Sequence, residues 1–388
     1  MDSAAGDAGS TGDNGPIGDT DANPLCGPLP FQPLNITGCE VTSPGPAIEI
    51  ADVQIIDTDT LPPVLNGTEL HAARFVQPDG DELLIVAVTD LDITAQGVLE
   101  VTGSRPLVIV ASGEIAIQGV LYAGAQDAQS GPGGDSQACQ SRGAGSPGQT
   151  QTADGDMTAG TGGGGGGFGS SGGSGAQVPD GGEVMPGGLD SGDDRLSPLR
   201  GGCSGGAGGQ YNGAGDGAGG GAGGAVHLIA GDRLIVDDGG VVTAPGGGGQ
   251  GASGTQGGGG GGGSGGAIVL EASELDIRGA ITANGGGGGE GRRGGSSSNA
   301  GDDGSDDSAD SAPGGADGAN SGGDGGAGSA GDEMARDGQP GINDTRLLSR
   351  RGGGGGGGGG GVGRIRIIAH DGELSRAAAT ISPAPRDN

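Results

Sequence analysis

Five short segments of the chain repeat one alternation of aliphatic residues, and this repeat constrains the fold more than any other feature. Each alternating series ends in alanine, and the copies align without gaps. Because successive side chains of a β-strand point to opposite faces, we expect each series to form the inward face of one strand. The five series are Leu83, Ile85 and Ala87; Leu107, Ile109 and Ala111; Val226, Leu228 and Ala230; Ile268, Leu270 and Ala272; and Ile365, Ile367 and Ala369.

A second and a third short run follow the first run in most copies. The third run begins after a glycine in four copies, at Gly97, Gly119, Gly240 and Gly279. Three strands per unit with a turn glycine predict one coil of a parallel β-helix, with Ile85 stacked on Ile109. The inward residues of the second run are Leu91 and Ile93, Ile115 and Ile117, Leu234 and Val236, Leu275 and Ile277, and in the fifth copy only Leu374.

Long glycine-rich inserts interrupt the repeat at one place, just after the third run. They span about 125–224, 245–266 and 284–362, and they hold most of the 104 glycines among 388 residues. Stacked coils predict this placement, because a loop at one corner leaves the strand ladder intact. The alternative is a set of unrelated strands in a sandwich or barrel, which would also alternate.

Two interpretations of the inserts stay open at this stage. Their composition favours disorder. Alternatively, they lie side by side as extended polyproline-II-type strands held by backbone and Cα–H···O bonds. Outward positions of the first run are also apolar, and a strand that is apolar on both faces is normally covered on both, by the inserts, the amino-terminal region or a partner. These outward residues are Leu84, Val86, Val108, Val110, Ile229, Val269 and Ile368.

The five units resemble rungs of the right-handed β-helix of filamentous-haemagglutinin-type adhesins. The whole pattern is also similar to glycine-rich exported proteins of GC-rich bacteria such as myxobacteria. The resemblance covers roughly 83–381 without the inserts, and it implies an all-β fold: a single-stranded right-handed parallel β-helix, or solenoid, of about five rungs at 83–383. It further implies a structural or adhesive role at the cell surface or in the extracellular matrix, and it transfers no functional residue.

The region before the repeat divides into two parts. Residues 1–23 are predicted to be an acidic flexible tether, and residues 24–82 an irregular cap. The acidic start is not a signal peptide, so we expect a leader to be missing or removed. The tether resembles the segment after the lipidated cysteine of bacterial lipoproteins, which makes a lipid anchor a hypothesis. No apolar run approaches the ~18 residues of a transmembrane segment.

Four cysteines form two pairs by position, Cys26 with Cys39 and Cys139 with Cys203. Sequence alone allows three connectivities. Neither pair has CxxC spacing and no histidine lies near, so structural disulfides are predicted rather than a zinc site. Oxidised cysteines indicate an extracytoplasmic location, at the cell surface or secreted.

The charge of the chain limits its partners. The formal net charge is −32, from 49 acidic residues against 17 basic ones, and every basic residue is arginine. Such a surface repels nucleic acid and anionic membranes. Cell-surface glycans or matrix proteins remain as expected partners, while the particular ligand and the oligomeric state stay open.

The residue before the second run forms a charged column in the alignment: Asp90, Glu114, Arg233, Glu274 and Glu373. Stacking would place Arg233 between Glu114 and Glu274, which predicts a structural charge ladder. The alternative is a carbohydrate-binding or polysaccharide-cleaving β-helix, which places acidic residues on an exposed sheet for acid–base work.

No catalytic, cofactor-binding or metal-binding residue is predicted, and the chain is expected not to be an enzyme. His71, His227 and His370 fall in separate segments and are interpreted as surface residues. The acidic run from Asp302 to Asp310 is interpreted as a solvated loop, although carboxylate oxygens suit calcium and leave that ion open as a ligand.

Overall fold

A computed structural model of the chain describes residues 29–38, 40, 43, 45–153, 157–179, 181–211, 215–294, 297–316, 322–344 and 351–387. The predicted tether 1–23 and the predicted Cys26–Cys39 pair lie outside these residues.

The described residues form many strands and one π-helical turn, Cys139–Gly143. In chain order the strands are β1 (Ile48–Ile50), β2 (Val53–Asp57), β3 (Val64–Leu65), β4 (Thr68–Glu69), β5 (His71–Val76), β6 (Glu82–Val88), β7 (Leu91–Ile93), β8 (Val98–Thr102), β9 (Leu107–Ala111), β10 (Ile115–Ile117), β11 (Val120–Tyr122), β12 (Thr150–Ala153), β13 (Met157–Gly160), β14 (Ala225–Val236), β15 (Val241–Thr243), β16 (Ala267–Ile277), β17 (Ala280–Thr282), β18 (Asn343–Asp344), β19 (Arg351–Gly352), β20 (Arg364–Ser375), β21 (Thr380–Ser382) and β22 (Arg386–Asp387).

Two sheets dominate the fold. The six-stranded sheet has the order β2-β8-β11-β15-β17-β21, and each of its pairs is parallel. The ten-stranded sheet runs β1-β7-β10-β14-β16-β20-β22, and β9 joins β14 to β6. Its pairs are parallel except β5 with β6, which is antiparallel, so the sheet is mixed. The all-β prediction is confirmed, while the single parallel β-helix stays a prediction.

The first copy of the repeat pairs one residue away from its predicted register. Val86, not Ile85, lies opposite Ile109. The alternating series Leu84, Val86 and Val88 therefore enters the main core, and Leu83, Ile85 and Ala87 lie on the other face. A one-residue slip moves every side chain to the opposite face. Because β6 is apolar at every position from Leu83 to Val88, its alternation did not distinguish the two faces.

The main core consists of the inward residues of both sheets. In the other four copies the predicted first-run series lies in this cluster or packs against it, and Leu228, Leu270 and Ile367 stack in register on Ile109. A second column follows the six-stranded sheet, with Leu99, Leu121, Val242, Ile281 and Ile381 in consecutive register. Full burial of a Leu or Ile side chain contributes about 1.5–3 kcal/mol, so these columns are the main stabilising element of the sheets.

The outward face of the ten-stranded sheet is also covered, as the sequence predicts. Two segments supply the cover: residues 29–36 near the amino end and the first insert. Their buried side chains pack on the outward residues of β6, β9, β14, β16 and β20. The covering side chains are Leu29, Phe31, Ile36, Phe168, Leu196 and Leu199.

The three glycine-rich inserts leave from the six-stranded sheet, after β11, β15 and β17, and lead into β14, β16 and β20. Their described parts are hydrogen-bonded to one another. Along 258–266, successive N–H groups donate in turn to three different neighbouring segments, at 2.8–3.0 Å. The acceptors are Gly209, Gly206 and Cys203 on one neighbour; Gly355, Gly358 and Gly361 on the second; and Gln250, Gly247 and Ala244 on the third.

The carbonyl groups of residues 257–264 accept hydrogen bonds from three further neighbours. Their donors also recur at every third residue: Gly217, Gly220 and Gly223; Gly163 and Gly166; and Arg292, Gly289 and Gly286. The segment is thus hydrogen-bonded to six neighbours, and the bonds to each neighbour recur at every third residue. This pattern is typical of packed extended helices with three residues per turn, which have no internal hydrogen bonds. Of the two interpretations of the inserts, these bonds match the ordered one. We call this part of the molecule the glycine bundle.

Glycine is required in the bundle because the segments approach too closely for a side chain. A Cβ built at Gly260 would overlap the carbonyl oxygen of Ala218, and one built at Gly357 would overlap that of Gly260. A Cα hydrogen therefore faces a neighbouring carbonyl, which is the arrangement of a Cα–H···O contact. The backbone N–H groups along 258–266 all donate to other segments of the protein, as buried backbone donors normally do.

Candidate functional site

The predicted charge ladder lies along one turn of the ten-stranded sheet. Arg233 pairs in register with Glu274, and Glu274 with Glu373. Arg233 Nε lies 3.6 Å from the Glu114 carboxylate, and Asp90 Oδ1 accepts the Glu114 N–H at 2.9 Å. About 40% of the Arg233 and Glu114 side chains is exposed, 44% and 42% respectively. An ion pair so exposed contributes at most about 1 kcal/mol.

The carboxyl-terminal half of this column borders a shallow cavity of about 450 Å³. Arg233, Glu274, Asp276 and Glu373 line it together with the backbone of β20. Carboxylates accept hydrogen bonds from hydroxyl groups, and a guanidinium donates them. The cavity therefore offers both kinds of polar group to a sugar-sized ligand.

A second cluster lies under the amino-terminal segment, on the outward face of the ten-stranded sheet. Glu271 is only 1% exposed, and its two oxygens lie 2.9 Å from His227 Nε2 and 2.8 Å from His370 Nε2. The Leu34 N–H donates to the same carboxylate at 3.0 Å. The Phe31 ring stacks on His370 with 3.9 Å between ring centroids. We call these four polar groups, from Glu271, His227, His370 and Leu34, the glutamate clasp.

The clasp corrects the interpretation of His227 as a surface residue. Its side chain is fully buried, and Nδ1 has no hydrogen-bond partner among the described residues. Burial alone would raise the pKa of Glu271, but the hydrogen bonds and charge of His227, with the bonds from His370 and Leu34, hold that pKa below its ordinary value.

The clasp binds the amino-terminal segment to the sheet. Its carboxylate and the His227 ring are closed to solvent, so a substrate does not reach them, whereas the His370 side chain is 28% exposed. The sequence carried one signal for it that the repeat alignment passed over. Glu271 pairs with Ile229 and Ile368 in a column that is otherwise aliphatic. A carboxylate in such a column needs buried partners.

The third polar region lies at the predicted disulfide. Cys139 and Cys203 are bonded, which confirms this pair. The guanidinium of Arg200 lies over the Phe168 ring, 4.9 Å from its centroid, and burial lowers the pKa of Arg200. Arg200 also faces a cleft of about 590 Å³ at the surface. Sequence reasoning missed this residue, since nothing in the pattern around it marks it.

The acidic run of the third insert is bound to the bundle through protein donors. Asp303 Oδ1 accepts the Gly248 N–H at 2.7 Å, and Asp306 Oδ1 accepts the Thr243 hydroxyl at 3.3 Å. Burial raises the pKa of both carboxyl groups, and nearby acidic side chains add to the rise. In the part of the chain that the structure describes, no group of three His, Cys, Asp or Glu residues is placed to hold a metal ion.

Within the same described ranges, no helix has the length and apolar character needed to cross a bilayer. Comparison with protein-family models, with curated proteins and with solved structures found no match for this chain.

Proposed function

We propose that this chain is a non-enzymatic structural or adhesive protein of the bacterial cell surface or extracellular matrix. The observation that carries the proposal is the glycine bundle, in which the inserts hydrogen-bond to one another in three dimensions. Inserts of this kind add a rigid body to the sheets, because successive backbone N–H groups, as along 258–266, are each held by a neighbouring segment. A rigid, chemically inert platform suits mechanical support and display of a binding surface.

The proposed architecture is a right-handed parallel β-helix of about five rungs, similar to that of filamentous-haemagglutinin-type adhesins. Two continuous columns support it, one through Ile109, Leu228, Leu270 and Ile367 and the other through the six-stranded sheet. The common exit of the three inserts supports it as well, because stacked coils tolerate loops at one corner. The antiparallel β5 then belongs to the cap of the first coil.

Location outside the cytoplasm is supported by the Cys139–Cys203 disulfide. The net charge of −32 favours partners other than nucleic acid or an anionic membrane. We therefore propose surface glycans or matrix proteins as partners, with a lipid anchor on the precursor as one route of attachment.

The proposal is tested by deleting the coding sequence in the producing bacterium. Attachment to surfaces and cohesion of the matrix are measured in the deletion strain and in a complemented strain, and intact cells are treated with protease to release exposed peptides. We expect reduced attachment or cohesion, and peptides of this chain among those released. A chain confined to the cytosol, or a deletion strain that is impaired only in growth on a polysaccharide, would overturn the proposal.

A carbohydrate-binding or polysaccharide-cleaving protein is the second candidate, and the cavity at the charge ladder favours it. Glu274 and Glu373 stand next to each other there, beside Arg233. Two carboxylates could divide the acid and base roles of a cleavage reaction. Incubation with acidic and neutral polysaccharides distinguishes the candidates: release of reducing ends or unsaturated products that stops in Glu274→Gln and Glu373→Gln would establish the enzyme.

A further inference from the structure

The cleft beside the disulfide is formed by four short segments from distant parts of the chain. They are the turn Asp79–Asp81 between β5 and β6, the stretch 136–142 around Cys139, the pair Ser191–Gly192, and the stretch Pro198–Arg200. The volume of about 590 Å³ is within the range of ligand pockets, ~300–1,000 Å³. A monosaccharide unit fits in this space.

Arg200 lies in the wall of the cleft and is only 8% exposed. Its acceptors are all neutral: Ser191 Oγ at 3.2 Å from Nη2, and the sulfurs of Cys139 and Cys203 at 3.7 and 3.9 Å from Nη1. Among the described residues no carboxylate lies within ion-pair distance of it. Asp81, in the same cleft, attracts the guanidinium from beyond ion-pair distance. A buried charge that is compensated only at that distance is costly, so the guanidinium is suited to an anionic ligand.

Gly192 keeps the edge of this guanidinium uncovered. Its φ of 86° lies in the left-handed region, and a Cβ there would come within 2.9 Å of both Arg200 Nη2 and the Phe168 ring. A side chain at this position would therefore be strained and would also crowd the group.

The lining of the cleft also offers acceptors and hydroxyl groups. Asp79 and Asp81 line it, and so does Ser136, whose Oγ is buried and has no hydrogen-bond partner among the described residues. Carboxylates and hydroxyl oxygens accept hydrogen bonds from the hydroxyl groups of a ligand. A carboxylate ligand without hydroxyl groups would leave these groups unused and would gain no hydrogen bond to offset the negative charge of Asp79 and Asp81.

We propose that the cleft binds a uronic acid unit of an acidic polysaccharide, with the sugar carboxylate on Arg200 and the sugar hydroxyls on Asp79, Asp81 and Ser136. The planar guanidinium matches a carboxylate with two parallel hydrogen bonds. The overall negative charge of the chain does not prevent this contact, because salt screens charges beyond about 8 Å at physiological ionic strength. The inference rests on the proposed adhesive role and names its ligand.

The test is calorimetric titration of the intact chain with galacturonate, with oligomers of galacturonate, with glucose and with acetate. We expect the uronates to bind, and glucose and acetate each to bind at least about tenfold more weakly, since each lacks one of the two kinds of contact. Arg200→Gln should weaken uronate binding at least about tenfold. Arg278→Gln removes the same charge from an exposed arginine outside the cleft and should leave binding unchanged.

Arg200 also packs on Phe168 and the disulfide, so its variant is checked for the intact disulfide by mass and for native near-ultraviolet circular dichroism. Asp81→Asn provides a second variant that leaves this packing in place. It should weaken binding of the uronates and leave acetate binding equal or stronger. Oligomers that bind no more tightly than galacturonate itself would indicate that a single sugar unit occupies the cleft, as we propose.

Two results would overturn the inference: no heat with uronate at millimolar concentration, or equal affinity for acetate and uronate, which would mark a general anion site only. The experiments distinguish a failure of this inference from a failure of the proposed function. A chain that does not bind uronate, in a bacterium whose deletion strain loses attachment, refutes the cleft alone. A chain that binds uronate, in a bacterium whose deletion strain is unaffected, refutes the adhesive role alone.

Discussion

The sheets and the glycine bundle are both ordered, but different interactions hold them. Between the sheets, aliphatic side chains are buried in columns, and the backbone hydrogen bonds run in strand ladders. In the bundle, glycine predominates, and a segment such as 258–266 donates hydrogen bonds to neighbours in three directions. The difference shows that a chain with few apolar residues can still order long segments, provided that its backbones approach closely enough to satisfy one another.

The largest effect is expected from a single methyl group added to the bundle. Gly260→Ala would place a Cβ on the carbonyl oxygen of Ala218, and the clash is with backbone atoms, not with a flexible side chain that could move aside. We expect a loss of about 4 kcal/mol or more in the free energy of unfolding, or failure to fold. Denaturant unfolding measures it. Asp324→Ala, at an exposed bundle position, is the control and should change stability by no more than about 0.5 kcal/mol.

Truncation of a side chain in the core between the sheets should lower the free energy of unfolding by less than Gly260→Ala does. Leu228 is fully buried in the middle of its column. Leu228→Ala leaves a cavity that the rigid columns fill only in part, so we expect about 3 kcal/mol of destabilisation in the same unfolding experiment. Ile55→Ala, at a side chain that is 53% exposed, should have little effect. Equal losses for Leu228→Ala and Gly260→Ala would contradict the distinction between the two regions.

The glutamate clasp joins the amino-terminal segment to the sheet, and its strength should depend on pH. The folded pKa of Glu271 lies below the ordinary value of 4.5, because its partners stabilise the ionised form. Its contribution is complete above pH 4.5 and is lost as the pH falls through the lowered pKa. Glu271→Gln should cost about 1–3 kcal/mol at neutral pH and flatten this acid dependence.

Unfolding followed between neutral and acid pH measures this effect. Glu69→Gln, at an exposed carboxylate, is the matched control and should leave the acid dependence unchanged. An identical acid dependence in Glu271→Gln and the unmodified chain would contradict the assignment.

The smallest effect belongs to the charge ladder. Arg233 is exposed for almost half of its side chain, and water screens its pair with Glu114. Arg233→Gln should lower stability by no more than about 1 kcal/mol, and added salt should reduce the difference. A larger loss that persists in high salt would mean that the ladder is a structural element of the sheet comparable to the core.

Predictions from the sequence succeeded where a local pattern determined the structure and failed where distant segments had to come together. The inward residues of β9, β14, β16 and β20 were predicted, because alanine and aliphatic residues recur there in one phase. The register of β6 was not predicted correctly, because its central run is apolar at every position and either set of alternate residues could face the core. The disulfide was predicted from position, whereas the cleft beside Arg200 was not, because four distant segments form it.

The amino-acid sequence by itself determined that this chain is all-β, with its aliphatic residues in repeated strands and its glycines in three inserts. Period-two alternation and the need to bury aliphatic side chains are local properties, and they can be read along the chain. Only the tertiary structure decided that the inserts bond to one another, that Glu271 lies between two histidines, and that Arg200 lies against the disulfide with no described carboxylate within ion-pair distance. Each of these depends on segments far apart in sequence coming within hydrogen-bonding distance, and composition carries no information on such distances.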